Sequence, residues 1–399
     1  MVCFGKENDM EKEILLSIVV PTKNRTKYLM SFIELVCGFG EKDIELVIQD
    51  NSETNQEIKE FIENNNYNNV VYNYDSRTMP VIENSDLAIK NASGKYICFM
   101  GDDDLLSSRL IDFVRLMDRE GYESAFFNVG SYSWPGVTHK AHKFPDLRIP
   151  KFKGRIKEID VAKEYSKLLD TGAVALELMP QLYHGVVLRE KLNEVFLKTG
   201  TYFPGPSPDM AISVALASIV KKHIYCDLPL ISSGTSPKSA GGLGAQHKHV
   251  GTLKDKTFLP SNVEEVWERY IPKIWTGPTI YAESAIKAMR AMGRTDDIKK
   301  YNYTYFYAHF NIFCSEFRNM LHYCIKEYGE FSRMRYCYYT IKIFLNRCTR
   351  FIYNMLAVRL KTSKTFIDNV ENTCIAQKII DNQIKHIEFD KMFENILKV

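Results

Sequence analysis

Four short apolar runs, each followed by a helical period, fill the first 120 residues of the chain. Leu15–Val20, Ile44–Gln49, Val70–Tyr74 and Tyr96–Met100 read as strands. Tyr28–Gly38, Asn55–Asn64, Glu83–Asn91 and Ser107–Arg119 read as the helices between and after them. In the first helix Leu29, Phe32, Ile33 and Val36 recur on one face. Strand–helix alternation with fully apolar strands predicts a mainly parallel sheet covered on both faces. Sheets of this class bind ligands outside the carboxyl ends of their strands. Polar clusters follow those ends here: Pro21-Thr22-Lys23-Asn24-Arg25, Asp50-Asn51-Ser52, Asp75-Ser76-Arg77 and Asp102-Asp103-Asp104.

After Ser124 the pattern loosens. Trp134–Lys157 reads as a loop, Gln181–Leu188 and Ile224–Ile231 as strands, and Ser232–Thr252 as a loop of the length usually reserved for function. Helical periods dominate from Val263 onward. The expected organisation is an α/β domain over 1–255 and a mostly helical region over 256–399. Nine cysteines without C-x-x-C spacing argue against a zinc knuckle or a disulfide framework and suit a reducing cytosol. Met1–Glu13 lacks an apolar core, so it is not expected to be a signal peptide. No run of 18 apolar residues predicts a transmembrane helix.

The three aspartates at 102–104 repel one another unless donors or a cation compensate them. Mg²⁺ is often held by one or two carboxylates together with substrate phosphates. The competing explanation is a helix start, where acids are favoured. Asp50 could accept from a nucleotide base or ribose, or close an Asx-turn. Asp209, after Gly205-Pro206-Ser207-Pro208, could be a general base or a helix N-cap. Arg77 could reach a base or phosphates, or stay at the surface. His184 reads as a satisfied core histidine, and Tyr132 and Trp134 as core or as an acceptor platform. Lys238 could contact a diphosphate, while His247-x-His249 is poor evidence for a metal.

Taken in order, these segments resemble glycosyltransferase family 2, nucleotide-sugar enzymes of the GT-A fold. The similarity lies in Ser17–Arg25, Glu45–Ser52, Asn84 with Ala88, Ala92–Ile97, and Gly101–Asp104 at the D-x-D position. It covers roughly 14–240, and the first Asp of D-x-D is replaced by Gly101. The resemblance implies a GT-A-like domain and an inverting, metal-dependent transfer. The donor would be a nucleotide-diphosphate-sugar, foremost a UDP-sugar, and the acceptor a saccharide or lipid-linked saccharide. Pro21, Thr22, Asn24, Arg25, Asp50, Arg77, Asn84, Asp102 and Lys238 would line the donor. Asp103, Asp102 and Asp104 would hold Mn²⁺ or Mg²⁺, and Asp209 would be the base. Bacterial surface polysaccharide assembly, at the cytoplasmic face of the membrane, is the setting it suggests. Two alternatives are a nucleotidyltransferase acting on a sugar phosphate and a non-catalytic saccharide-binding protein.

Charge adds one feature. Lys and Arg number 52 and Asp and Glu 49, a net of +3 that speaks against nucleic acid. Residues 333–364 alone carry eight basic residues and no acid, interleaved with aromatic and aliphatic ones. The expectation is peripheral membrane contact or, equally, packing against the first domain or a second subunit of a homo-oligomer.

Overall fold

The computed structural model describes residues 13–137, 145–237, 239, 250–256, 259, 262–359 and 364–398. Its strands are β1 Leu16–Thr22, β2 Ile44–Asp50, β3 Val70–Tyr74, β4 Tyr96–Phe99, β5 Leu105–Leu106, β6 Ser124–Phe127, β7 Gly130–Ser133 and β8 Asp146–Pro150. They continue with β9 Ile156–Ile159, β10 Gly185–Leu188, β11 His223–Cys226, β12 Ile231–Thr235, β13 Gly251–Thr252, β14 Ile274–Trp275, β15 Lys364–Asp368 and β16 Leu397–Lys398.

The main sheet has the order β16-β9-β11-β6-β10-β4-β1-β2-β3. Its β4-β1-β2-β3 half is parallel, as the alternation requires, with Thr22 beside Asp50 and Val19 beside Phe99. Strand β10 then enters antiparallel between β4 and β6. Helices Thr26–Cys37, Gln56–Asn64, Val81–Lys90 and Leu110–Glu120 cover the parallel half. Every residue of β1 except Pro21 is buried, as is all of β2, which is what an apolar strand covered on both faces looks like. A buried carboxylate locks the start of β4. Glu45 accepts from Ser17 Oγ and from the N–H groups of Ser93 and Gly94 at 2.5, 2.6 and 3.2 Å. A Cβ on Gly94 would stand 2.6 Å from Ser17 N, so only glycine lets the chain pass there.

A second sheet, β15-β8-β7-β12-β5, lies against the loop that follows β4. It corrects two expectations. The Trp134–Lys157 stretch is not a loop throughout, since it contains β8 and leads through β9; its residues 138–144 lie outside the described residues. The strand expected over Ile224–Ile231 is two strands, β11 and β12, and β12 takes the first residues of the expected Ser232–Thr252 loop. The Gln181–Leu188 strand begins only at Gly185.

Residues beyond 255 pack in two places. Helix Gly277–Ala291 lies on helix Pro208–Leu216 and shares a core with Trp267, Tyr307 and Phe310. Residues 364–398 return to the first sheet. Strand β15 pairs with β8, β16 pairs with β9, and Val370, Ala376, Ile380, Ile384 and Phe393 join the core formed by β1, β2 and helix Leu110–Glu120. Asp381 binds Ser107 Oγ and Ser108 Oγ, each at 2.5 Å, just past the aspartate triplet. Among the described residues no helix is long and apolar enough to cross a membrane.

Candidate active site

The carboxyl ends of β1 and β4 bring Thr22, Arg25, Asp102 and Asp103 together. Thr22 Oγ1 donates to Asp102 Oδ2 at 2.6 Å. The Arg25 guanidinium spans both acids, with Nε 3.0 Å from Asp102 Oδ1 and Nη2 2.6 Å from Asp103 Oδ2. Nη2 also donates to Ser236 Oγ at 2.6 Å, and Ser236 Oγ donates to Asp103 Oδ2 at 2.6 Å. Burial pushes the Asp102 carboxyl up to about 7, against the pull of Arg25. Burial and the neighbouring Asp104 charge raise Asp103 as well.

Asp104 behaves differently. Its Oδ2 accepts from Gly101 N–H at 2.7 Å and Tyr183 O–H at 3.0 Å, and lies 2.8 Å from His184 Nε2. Its Oδ1 accepts from Gly234 N–H at 2.7 Å. Burial opposes ionisation, but the charge and hydrogen bond of His184 and the two N–H donors outweigh it and hold this carboxyl below the ordinary range. Both oxygens are committed to protein donors. Asp104 therefore anchors the turn.

Two backbone features shape this turn. Strand β12 passes so close that a Cβ on Gly234 would lie 1.7 Å from Asp103 O. Trp134 Nε1 donates to the same oxygen at 2.7 Å. Trp134 is buried edge-on against Tyr28 at 4.9 Å, and Tyr132 is buried with its hydroxyl on Val370 O at 2.9 Å. Both belong to the core rather than to an exposed stacking platform.

The adjoining loops are tied to one another. Asn24, at φ 55°, donates its N–H to Ser52 Oγ at 2.7 Å and accepts from Glu53 N–H at 3.0 Å. Pro21 lies within β1, opposite Gln49 of β2. Asp50 is buried; it accepts from Ser52 N–H at 2.8 Å and Tyr72 O–H at 2.7 Å, which is the Asx-turn arrangement. Asn84 donates to Thr22 O and Gln49 O, both at 3.4 Å, and its buried Oδ1 has no partner among the described residues. Arg77 is exposed and paired with Asp75 at 2.5 Å, away from the acids' immediate contacts. Lys238, His247 and His249 lie outside the described residues.

Asp209 sits in the first turn of helix Pro208–Leu216, whose N-cap position is Ser207. Asp209 is thus not the cap, and its carboxylate accepts no hydrogen bond from the described residues. Burial raises its carboxyl, with His184 acting in the opposite sense. Its charge is felt by Tyr183 and Tyr281. This places Asp209 on the Tyr183–His184 side of the aspartate triplet. The Ser207 N–H donates to Ser284 Oγ at 2.7 Å, so helix Gly277–Ala291 steadies the loop that carries Asp209.

A divalent cation can be tested against these groups. Asp102 Oδ1 is buried without a hydrogen-bond donor among the described residues, because the nearby Arg25 Nε is misaligned. Asp102 and Asp103 present carboxylates on one turn, and a guanidinium already supplies positive charge there. No group of three His, Cys, Asp or Glu able to hold a metal occurs among the described residues. Two carboxylates suffice where substrate phosphates complete the shell, so the residues fit Mg²⁺ or Mn²⁺ on that condition.

Sequence reasoning missed Ser236, Gly234 and Tyr183. Their only signal was a Gly/Ser-rich run after a strand and an aromatic next to His184.

No curated protein matches the chain. Among solved structures, S. aureus TarS 1-349 in complex with UDP-GlcNAc is similar at 12% identity and TM-score 0.46, over 80% of this chain and 93% of that one. The mannosyltransferase PcManGT from Pyrobaculum calidifontis, in complex with GDP-Man and Mn²⁺, is similar at 10% identity and TM-score 0.43, over 93% and 87%. A longer S. aureus TarS chain is matched at 15% identity and TM-score 0.42 over 56% of this chain, which spans 37% of that chain's length. Residues 17–175 match the family described as Glycosyl transferase family 2.

Proposed function

We propose that this protein transfers a hexosyl or N-acetylhexosaminyl group from a nucleotide-diphosphate-sugar, foremost a UDP-sugar, to a saccharide or lipid-linked saccharide, with inversion at the anomeric carbon. The setting is polysaccharide assembly at the cytoplasmic face of a bacterial membrane. The supporting observation is the meeting of Thr22 and Arg25 with Asp102 and Asp103 at adjacent strand ends, within the family 2 segment.

Asp103 and Asp102 would hold Mn²⁺ or Mg²⁺, which when bound supplies positive charge to the departing diphosphate. Thr22, Asn24, Arg25 and Asn84 would position the donor from the β1 side. The unpartnered Asn84 Oδ1 offers an acceptor for a donor hydroxyl or N–H. Asp104 holds the turn, so its part is positional. Asp209 takes the proton from the acceptor hydroxyl as that oxygen bonds to the anomeric carbon. The bond to the diphosphate breaks in the same step, and the electron pair leaves with the diphosphate. A carboxylate raised by burial and without a hydrogen bond from the described residues suits that task.

The test is nucleoside-diphosphate release from a panel that includes UDP-GlcNAc and GDP-Man, with and without Mn²⁺ or Mg²⁺, together with calorimetric nucleotide binding. Metal-dependent release with one donor is expected. Pyrophosphate release from a nucleoside triphosphate would indicate nucleotidyl transfer instead. Neither release nor nucleotide binding with any donor would overturn the reading.

A further inference from the structure

The helix Arg333–Arg359 has two apolar faces, and the fold uses one of them. Ile343 is buried, and Tyr336, Tyr339 and Thr340 lie half-buried on the same side. This side rests on helix Tyr303–Phe313, where Tyr339 stacks edge-on with Tyr305 at 5.2 Å and accepts from Asn302 Nδ2 at 3.1 Å. The second face is exposed. Met334, Tyr338, Ile341, Leu345, Ile352 and Met355 follow one another at helical spacing, and all are more than half exposed. Phe344 and Phe351 widen the stripe on one side, and Leu356 continues its other edge in line with Tyr338. At about 100° per residue the stripe covers roughly 140° of the helix. Every residue from Thr349 to Leu356 is exposed, so this end of the helix overhangs the body.

The flanks of the stripe are basic. Arg335 and Lys342 border one side; Arg347 borders the other, where its guanidinium lies over the Phe313 ring at 4.8 Å, and no acid occurs between Glu330 and Asp368. A second copy laid on this face would bring basic flanks together with no carboxylate to pair them. An anionic bilayer surface complements both features, taking the apolar stripe into the acyl boundary and leaving the basic flanks among the headgroups. No described helix can cross a membrane, so the contact is an interfacial one. We propose that this exposed face of helix Arg333–Arg359 docks the enzyme on an anionic lipid surface. The proposal goes beyond the catalytic reading and does not depend on it.

The experiment is flotation of the full chain with vesicles of phosphatidylcholine alone or mixed with phosphatidylglycerol. Binding to the mixed vesicles only, weakened by salt, is expected. Ile341→Glu with Leu345→Glu should reduce it about tenfold or more, and Lys342→Glu should weaken it less. Thermal unfolding midpoints of these variants should match the parent, because the replaced side chains are exposed. Absence of binding at low salt, or binding that these substitutions leave unchanged, would overturn the proposal. So would a dimer in sedimentation that the double substitution dissociates while vesicle binding is absent, which would assign the face to a second copy.

Discussion

Arg25 stands where it neutralises Asp103: its Nη2 lies 2.6 Å from the Asp103 carboxylate, and Asp102 is 3.0 Å from its Nε. The guanidinium therefore occupies the electrostatic position that a divalent cation would take between these acids.

Arg25→Met should make Mn²⁺ bind about tenfold more tightly in calorimetry, since a competing charge is removed. Without metal, the same variant leaves two buried acids uncompensated. Its unfolding free energy should drop by about 2 kcal/mol and recover when Mn²⁺ is added. Weaker Mn²⁺ binding would show instead that the guanidinium aligns the acids for the metal.

Asp104→Asn should cost about 3 kcal/mol in denaturant unfolding, because an amide group must replace one oxygen among donors from Gly101, Tyr183, His184 and Gly234. A change within about 0.5 kcal/mol, the range of ordinary surface substitutions, would contradict its role as the anchor of the turn.

Gly234→Ala should destabilise by about 3 kcal/mol and lower activity, since its Cβ would collide with Asp103 O and push β12 off the turn. Thermal unfolding and donor turnover read the two effects separately.

Asp209→Asn should lower turnover about 10³-fold, within the usual worth of general base catalysis, and leave nucleotide affinity unchanged. The unfolding midpoint should also hold, because Ser207 occupies the cap position and the Asp209 carboxylate accepts no hydrogen bond from the described residues. A large stability loss would return Asp209 to a structural role.

His223 should contribute a loss of stability with acid between about pH 6.5 and 4, opposed over the same window by Asp102, whose carboxyl is raised to about 7 and takes up a proton in the folded chain. Burial drives the His223 imidazole down to about 4, although hydrogen bonds to Ser124 and Leu178 favour the proton. In that window the unfolded chain binds a proton that the folded chain refuses, so unfolding free energy rises with pH and is fully recovered above 6.5. The loss at pH 4 is about 3 kcal/mol for this group. Half-buried His309, also lowered to about 4, acts in the same direction. Unfolding curves of the parent and of His223→Asn against pH should differ by that slope, since Asp102 contributes equally to both.

Much of the site's location was legible in the sequence because it depends on local pattern. Val19, Val47 and Ile97 announce buried parallel strands, and the rule that such sheets bind ligands at carboxyl ends places Thr22, Arg25, Asp102 and Asp103 together. The roles of the three aspartates were not legible. Asp104 is set apart by His184 and Gly234, and Asp103 by Ser236, all of them distant in the chain. Asp209 was readable as a residue opening a helix, but only the position of Ser207 shows that it is not the cap.

By itself the sequence determined the parallel half-sheet, the acid turn after β4 and the basic, acid-free stretch near the end, since each is written in neighbouring residues. Tertiary structure decided the rest. Strands β8 and β9 are short and polar in part, and they find partners in β15 and β16 more than two hundred residues later, a pairing that no local period encodes. The helix Arg333–Arg359 carries apolar residues on both sides, so its sequence could not say which would be buried. Packing against Tyr305 and Phe313 took one face, and the other was left to meet something outside the chain.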